Sequence, residues 1–201
     1  VCAYNALAVV KGAVLVFSEL CHGCGACTLL CPEKAIRETG ERIGVVESGR
    51  AGEIRFAHGR LDIGRAMSPP LIRALKSHMD LSMDVIIDAP PGTSCPVIES
   101  LKRSDFCLLV TEPTPFGLHD LELAVGAVRE MKIPCGVVIN RASLGGGDGQ
   151  VREFCAREEI PVLLTIPFDR KIAEAYARGL TILEAFPAYR SEFLGMFENI
   201  R

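Results

Sequence analysis

The sequence predicts a doubly wound α/β fold with a mostly parallel sheet, joined to a short cysteine-rich segment. Three observations carry this prediction: short apolar runs that alternate with helix-like segments, five cysteines within the first 31 residues, and an ordinary globular composition. The apolar runs are continuous rather than alternating, which is typical of strands buried on both faces of a parallel sheet. We therefore expect helices on both sides of that sheet.

The predicted strands and helices alternate from residue 70 onwards. The four strands cover Asp84–Asp88, Phe106–Thr111, Gly136–Asn140 and Val162–Ile166. The helices are predicted at residues 70–79, 96–104, 118–131, 150–158, 170–178 and 191–200. Residues 36–66 are rich in Gly, Arg and Glu and contain short alternating segments, which predict small strands and turns.

Composition and charge exclude several classes of protein. The 201 residues are 49% apolar, so a largely disordered chain is excluded. The formal net charge of −3 provides no basic surface, and no nucleic-acid partner is expected. The apolar stretch at residues 6–17 contains Lys11 and is shorter than the ~20 residues of a spanning helix, so no membrane insertion is expected. No secretory leader pattern is visible, which predicts a cytoplasmic location.

Four cysteines have the spacing of an iron–sulfur site. The run comprises Cys21, Cys24, Cys27 and Cys31, followed by Pro32. Its pattern, C-x2-C-x2-C-x3-C-P, is that of bacterial ferredoxins, which bind a 4Fe–4S cluster. Gly23 and Gly25 allow the backbone to bend closely and to direct N–H groups at sulfur. A zinc site is the alternative, although zinc usually takes two separated cysteine pairs.

Cys2 stands outside this run and leaves two ligand sets open. In two-cluster ferredoxins the fourth cysteine of each run binds the other cluster. Residues 2–7 resemble residues 31–36, with Ala3 in place of the usual proline, so Cys2 is interpreted as the fourth cysteine of an earlier run. It would then complete the cluster held by the first three cysteines of the run, and Cys31 would serve a second cluster. In the alternative, Cys2 is a free thiol and Cys31 closes a single cluster.

The other four cysteines are scattered singly along the chain. They are Cys95, Cys107, Cys135 and Cys155. The last three lie in apolar strand or helix patterns, and we expect them in the core. Cys95 is expected to pack as a small residue at the start of a helix.

One segment resembles the Walker B and switch II region of the MinD/ParA class of P-loop ATPases. The predicted strand at residues 85–87 ends in Asp88, and Pro-Pro-Gly92 follows shortly after it. The resemblance implies that Asp88 holds a Mg²⁺-bound water and that the N–H of Gly92 meets the γ-phosphate. These two residues are the candidates for catalysis.

Two further segments resemble the adenine site of the same class. Asn140 ends a predicted buried strand, at the edge of the sheet where nucleotides bind. In the class, an asparagine here recognises adenine, and a loop like residues 166–169 walls the purine. The resemblance therefore assigns Asn140, Pro167 and Asp169 to adenine.

Taken together, the chain is similar to the MinD-superfamily ATPases with an inserted ferredoxin domain, relatives of the Mrp scaffolds and of the nitrogenase iron protein. Phe56–Leu61 and Thr111–Asp120 are further matching stretches. The resemblance implies a ferredoxin-like domain at residues 1–50 and the C-terminal part of a MinD-like domain at residues 51–201. It also implies one or two 4Fe–4S clusters, ATP and Mg²⁺ in the intact protein, and a homodimer.

The phosphate-binding loop of that family is not found in this sequence. No Gly-x4-Gly-Lys-Ser/Thr pattern occurs, and the glycines at residues 145–149 are not accompanied by a lysine. In the family this loop precedes the ferredoxin insert, so we expect an N-terminally truncated chain that does not hydrolyse ATP alone. Whether the chain is an enzyme is therefore left open.

The resemblance is compatible with more than one function. In the first, the intact protein couples ATP binding and hydrolysis to electron transfer or cluster delivery, with a redox or cluster-acceptor protein as partner. In the second, it is a positioning ATPase of the ParA/MinD kind, and the ferredoxin domain is a redox sensor or a structural element. A third is a truncated remnant that only carries electrons.

Overall fold

The structure is a computed structural model that describes residues 2–65, 67–144 and 147–200. It divides the chain into two units, Val1–Pro90 and Pro91–Arg201. No helix in the described ranges combines the length and the apolar character that a bilayer crossing requires.

The first unit contains two antiparallel hairpins and two helices. Its elements are β1 (Leu7–Val10), β2 (Ala13–Val16), a 3₁₀ turn (Ser18–Leu20), α1 (Ala26–Leu30), β3 (Gly44–Ala51), β4 (Ile54–Leu61) and α2 (Pro69–Lys76). Strand β1 pairs with β2, and β3 pairs with β4. Lys11 and Gly12 both have positive φ at the tip of the first hairpin, as a two-residue type I′ turn requires.

Helix α2 packs against the second hairpin because β4 offers a position without a side chain. Leu71 of α2 is buried, and its Cγ lies 3.0 Å from where a Cβ on Gly59 would stand. Any larger residue at position 59 would therefore displace the leucine. The opposite face of the hairpin carries exposed side chains, including Ile54 and Phe56.

The second unit is a three-stranded parallel sheet with helices. Its elements are α3 (Cys95–Leu101), β5 (Cys107–Thr111), α4 (Pro115–Glu130), β6 (Cys135–Ala142), α5 (Gly149–Arg157), β7 (Val162–Pro167), α6 (Arg170–Ala177), α7 (Ile182–Ala185) and α8 (Tyr189–Ile200). The strand order is β5-β6-β7. Parallel neighbours need a crossover connection, and α4 and α5 lie in the two crossovers.

The core of this unit is formed by the middle strand and the two crossover helices. Val137 and Ile139 of β6 have no exposed surface, and they cluster with Leu121 of α4 and Phe154 of α5. Gly136 allows β6 to lie close to β7, since a Cβ at position 136 would overlap the side chain of Leu163. The α/β fold class with a parallel sheet, predicted from the continuous apolar runs, is confirmed.

The predicted strand at residues 84–88 is wrong. These residues have no strand structure, and Ile86 is 90% exposed. In the described residues no strand is hydrogen-bonded beside this run, and a strand is defined by its pairing rather than by its apolar character. The parallel sheet accordingly has three strands among the described residues, where four were expected.

The scattered cysteines largely follow the prediction. Cys107 and Cys155 are buried, and Cys135 is half-buried against the core. Burial raises the pKa of Cys107 to about 11 and also raises the pKa of the other two thiols. These thiols therefore stay protonated at neutral pH. Cys95 does begin a helix, but it is exposed, so its predicted packing is wrong.

We expect Ile139→Ala to lower the free energy of unfolding by about 2–5 kcal/mol, because it opens a cavity in a fully buried position. Leu123→Ala is the matched control, since Leu123 lies on α4 and is 52% exposed. Its effect should stay within about 0.5 kcal/mol. Urea unfolding followed by circular dichroism measures both. Equal losses for the two variants would contradict the assigned core.

Candidate iron–sulfur centre and nucleotide edge

The loop between the first and third cysteines of the run is shaped by two glycines. Gly23 has φ of +59° and Gly25 has φ of +74°, conformations that other residues rarely adopt. The N–H of Gly23 donates to Cys21 Sγ at 3.4 Å. The loop therefore turns back on its own first sulfur. Hydrogen bonds of this kind to cysteine sulfur help set the potential of an iron–sulfur cluster.

Helix α1 positions the other two cysteines of the run. Gly25 is its N-cap, Cys27 lies in its first turn, and Cys31 is its C-cap. Residues four apart lie on one side of a helix, so Cys27 and Cys31 follow the same side. Cys21 and Cys24 are exposed, whereas Cys27 and Cys31 are half-buried.

Cys2 and Cys31 begin turns of the same geometry. The carbonyl of each cysteine accepts the N–H of the third residue after it, Asn5 at 3.3 Å and Lys34 at 3.1 Å. Asn5 and Lys34 both have positive φ, +53° and +49°. The alanine that follows directs its N–H at the cysteine sulfur in both turns, at 3.4 Å in the case of Cys31. The sequence likeness of the two segments is thus matched by their backbones.

The Cys2 thiol lies in a setting that favours its ionised form. The backbone N–H of Tyr4, followed by that of Ala6, lowers the pKa of this thiol. Thiolates, rather than thiols, bind metals. The tyrosine ring also stacks on the ring of His22, with centroids 3.4 Å apart and planes 9° apart. Tyr4, two residues after Cys2, therefore contacts His22, which directly follows Cys21.

The side chains of these cysteines are of the kind that binds a 4Fe–4S cluster, which is held by cysteine thiolates. Within the described ranges, no three His, Cys, Asp or Glu side chains are gathered for a single metal ion. A cluster has a separate cysteine on each iron, so its ligands need not meet at one point. Thr28 Oγ1, next to Cys27, is buried and has no hydrogen-bond partner in the described structure. Buried hydroxyls are normally paired, and a cluster sulfide would supply an acceptor.

The residues predicted to contact adenine lie at the carboxyl edge of the parallel sheet. Asn140 is near the end of β6, and Pro167 ends β7. Ala142 pairs with Pro167, and the N–H of Phe168 donates to the Ala142 carbonyl at 2.9 Å. Asp169 follows directly. Open α/β sheets bind their ligands outside this edge, so the placement agrees with a nucleotide site.

The side chains at this edge already have local partners. Asn140 Oδ1 accepts the N–H of Arg141 at 3.0 Å. Asp169 Oδ1 accepts the N–H of Lys171 at 2.8 Å, which makes Asp169 the N-cap of α6. The carboxylate of Asp169 thus has a structural role, and its role toward adenine stays a prediction.

An ion pair at the same edge was not predicted. Arg141 Nη1 lies 3.1 Å from Glu112 Oε1, and Arg141 has φ of +53°. Thr111 pairs with Ile139 across β5 and β6, and Glu112 and Arg141 both follow this last paired position within two residues. A strained non-glycine residue at the end of a strand is typical of functional edges.

The two residues predicted for Mg²⁺ and phosphate, Asp88 and Gly92, belong to different units of the chain. Asp88 is exposed and lies in the first unit, in a segment without regular structure. Gly92 belongs to the second unit, has φ of +88° and has open space around it. The catalytic roles of Asp88 and Gly92 stay predictions.

Comparison with known proteins gives a family match within the first unit and relatives that align with much of the chain. The family description "4Fe-4S binding domain" matches residues 14–37, which include the whole cysteine run. An uncharacterised protein of Methanocaldococcus jannaschii is 27% identical over 186 residues, which are 92% of this chain and 64% of the relative. The first unit therefore carries a recognised iron–sulfur motif.

Two relatives have names that state a function. An iron–sulfur cluster carrier protein of Pyrococcus horikoshii is 30% identical over 136 residues, 58% of this chain and 44% of the relative. A cytosolic Fe–S cluster assembly factor, the Nubp1 homolog of Drosophila ananassae, is 30% identical over 137 residues, 57% of this chain and 44% of the relative. The chain thus spans between 44% and 64% of the length of these three relatives.

Solved structures show the fold of the α/β part. The MinD cell division protein of Aquifex aeolicus matches with a TM-score of 0.53 and 18% identity, over 66% of this chain and 60% of that chain. The MinD protein of Pyrococcus horikoshii, solved with Mg-ADP, matches with a TM-score of 0.51 and 21% identity, over 66% of this chain and 54% of that chain. The predicted MinD-type fold is confirmed.

We expect Asp169→Ala to lower the free energy of unfolding by about 0.5–2 kcal/mol, because α6 loses its N-cap. Asp169→Ser is the matched control, since a serine hydroxyl can cap the same helix. Its stability should stay near that of the unchanged protein. Urea unfolding of the three proteins gives the comparison. A serine variant as unstable as the alanine variant would show that capping is not the role of this carboxylate.

Proposed function

Because the chain joins a 4Fe–4S binding domain to an α/β unit with the fold of MinD, we propose that the whole protein is a nucleotide-dependent iron–sulfur protein that delivers clusters to acceptor proteins. The observation that carries the proposal is the cysteine run at residues 21–31, with its glycine-shaped loop. The names of the Pyrococcus and Drosophila relatives favour delivery over electron transfer. The Drosophila name also favours the cytoplasm as the location.

The exposure of the run suits a cluster that is passed on as cargo. Cys21 and Cys24 are exposed, so an acceptor protein can bring its own thiolates to the same irons. Each acceptor thiolate replaces one cysteine of this chain, which then takes up a proton. The cluster keeps its electrons, so the exchange needs neither oxidant nor reductant.

The nucleotide is proposed to bind at the carboxyl edge of the parallel sheet in the whole protein. Asn140 is assigned to adenine, with Pro167 and Asp169 beside it, and Asp88 and Gly92 to Mg²⁺ and the γ-phosphate. ATP with Mg²⁺ would supply the energy for the change between cluster-holding and cluster-releasing states. A homodimer of the whole protein is part of the proposal, because the resemblance to MinD-superfamily ATPases implies one.

We assign the cluster ligands to Cys2 together with Cys21, Cys24 and Cys27. Support comes from the matching turns at Cys2 and Cys31, since equivalent turns indicate equivalent fourth-cysteine positions. In two-cluster ferredoxins that position binds the cluster of the other run. Cys31 is then the ligand of a second cluster in the whole protein.

Cys2→Ala and Cys31→Ala separate the two ligand sets. After anaerobic reconstitution with iron and sulfide, we expect Cys2→Ala to lose one iron on mild oxidation and to give the EPR signal of an oxidised three-iron cluster. Cys31→Ala should keep the four-iron cluster of the unchanged chain. The reverse result would mean that Cys31 closes a single cluster and would contradict the assignment.

Delivery itself is tested with the whole protein, loaded with cluster and mixed with a cluster-free ferredoxin. Circular dichroism of the acceptor follows the transfer, and an iron chelator in solution traps any cluster that is released rather than handed over. We expect transfer that resists the chelator and is faster with MgATP than without nucleotide. A cluster that stays on the protein and only exchanges electrons would contradict delivery and favour the electron-transfer alternative.

A further inference from the structure

The stacked rings of Tyr4 and His22 join two segments that both carry proposed cluster ligands. Tyr4 follows Cys2 by two residues, and His22 directly follows Cys21. The ring centroids are 3.4 Å apart and the planes differ by 9°, so the rings lie face to face in van der Waals contact. Neither ring is buried in a core, since Tyr4 is 45% exposed and His22 is half-buried.

The first hairpin explains how these two segments meet. The Phe17 N–H donates to the Ala6 carbonyl at 2.9 Å, which closes the open end of the β1–β2 hairpin. The chain before Ala6 and the chain after Phe17 therefore run beside each other. Cys2 lies on the first of these segments and Cys21 on the second. The hairpin brings the two segments together, and the Tyr4–His22 stack is a further contact between the Cys2 turn and the cysteine loop.

We propose that Tyr4 is a positioning residue for the cluster: by stacking on His22, it holds the Cys2 turn against the loop of Cys21 and Cys24, so that Cys2 supplies the fourth thiolate. The inference rests on the proposed function in one respect, the assignment of Cys2 as a ligand. Tyr4 is the residue that holds Cys2 in position as a ligand. Tyr4 itself is proposed to touch neither iron nor sulfide.

The contact between the two rings is what the proposal requires. The backbone N–H of Tyr4 already faces the Cys2 sulfur, and any residue at position 4 retains that N–H. The ring is the part that reaches the second segment. Pairs of Phe, Tyr and Trp rings change a population by roughly 2- to 12-fold, and we take the same range for the Tyr4–His22 pair. A loss of that size is large enough to expose one corner of the cluster to oxidation.

Variants of Tyr4 test the proposal through the fraction of three-iron cluster formed on mild oxidation, read by EPR. We expect Tyr4→Ala to raise this fraction by roughly 2- to 12-fold over the unchanged chain. Tyr4→Phe keeps the ring without the hydroxyl and should behave as the unchanged chain. Phe17→Ala is the matched control, because Phe17 is a similarly exposed aromatic (42%) of the same unit. It should leave the fraction unchanged.

The double variant with Cys2→Ala shows whether Tyr4 acts through Cys2. Once Cys2 is absent, Tyr4→Ala should have no further effect on the three-iron fraction. His22→Ala removes the other ring and should reproduce Tyr4→Ala, which keeps the test independent of any single variant. Circular dichroism before reconstitution compares the folding of all chains.

The proposal is overturned if Tyr4→Ala and His22→Ala oxidise like the unchanged chain. It is also overturned if Tyr4→Ala raises the three-iron fraction equally in the Cys2→Ala background, because Tyr4 would then act without Cys2. Failure of the proposed function looks different. In that case the unchanged chain takes up no four-iron cluster at all, and both proposals fall together.

Discussion

An iron–sulfur cluster requires several cysteine sulfurs around one small inorganic group, and the backbone beside the cysteines of the first unit fits that requirement. The loop at residues 21–25 turns through two glycines with positive φ, and backbone N–H groups point at the sulfurs of Cys2, Cys21 and Cys31. At Cys2 the donors lower the pKa of the thiol, and the thiolate is the form that binds iron. Little apolar core is available here, so the cluster itself would supply much of the order of this unit.

The second unit is held together by apolar packing instead of by groups around the cysteines. Its sheet is held by buried apolar side chains of β6, α4 and α5, and polar residues collect only where the strands end. That edge brings together Asn140, Asp169 and the Arg141–Glu112 ion pair. A rigid core with polar residues at one edge of its sheet is how open α/β folds present a nucleotide site. Coupling of this edge to the cluster is proposed for the whole protein.

Much of this could be predicted from the sequence, for reasons that differ between the parts. Spacing alone indicated the cysteine run, because a fixed inorganic geometry demands a fixed pattern. Continuous apolar runs predicted β5, β6 and β7 to within about two residues, because burial on both faces leaves no alternation. The strand at residues 84–88 failed, since pairing depends on a neighbour that apolar character cannot reveal.

Side-chain contacts were the hardest features to predict. The Tyr4–His22 stack depends on the closure of the first hairpin, which brings together residues 18 positions apart. The capping role of Asp169 was also missed, although an aspartate before a helix is a common N-cap. In both cases only the backbone path showed what the side chain contacts.

The most direct test of the account is the metal content of the chain after anaerobic reconstitution. Iron and acid-labile sulfide are assayed together, and EPR is recorded before and after reduction with dithionite. We predict about four iron atoms and four sulfides per chain and the signal of a reduced 4Fe–4S cluster. A single zinc or iron ion per chain without sulfide would contradict it, because the cysteine run would then be a mononuclear metal site.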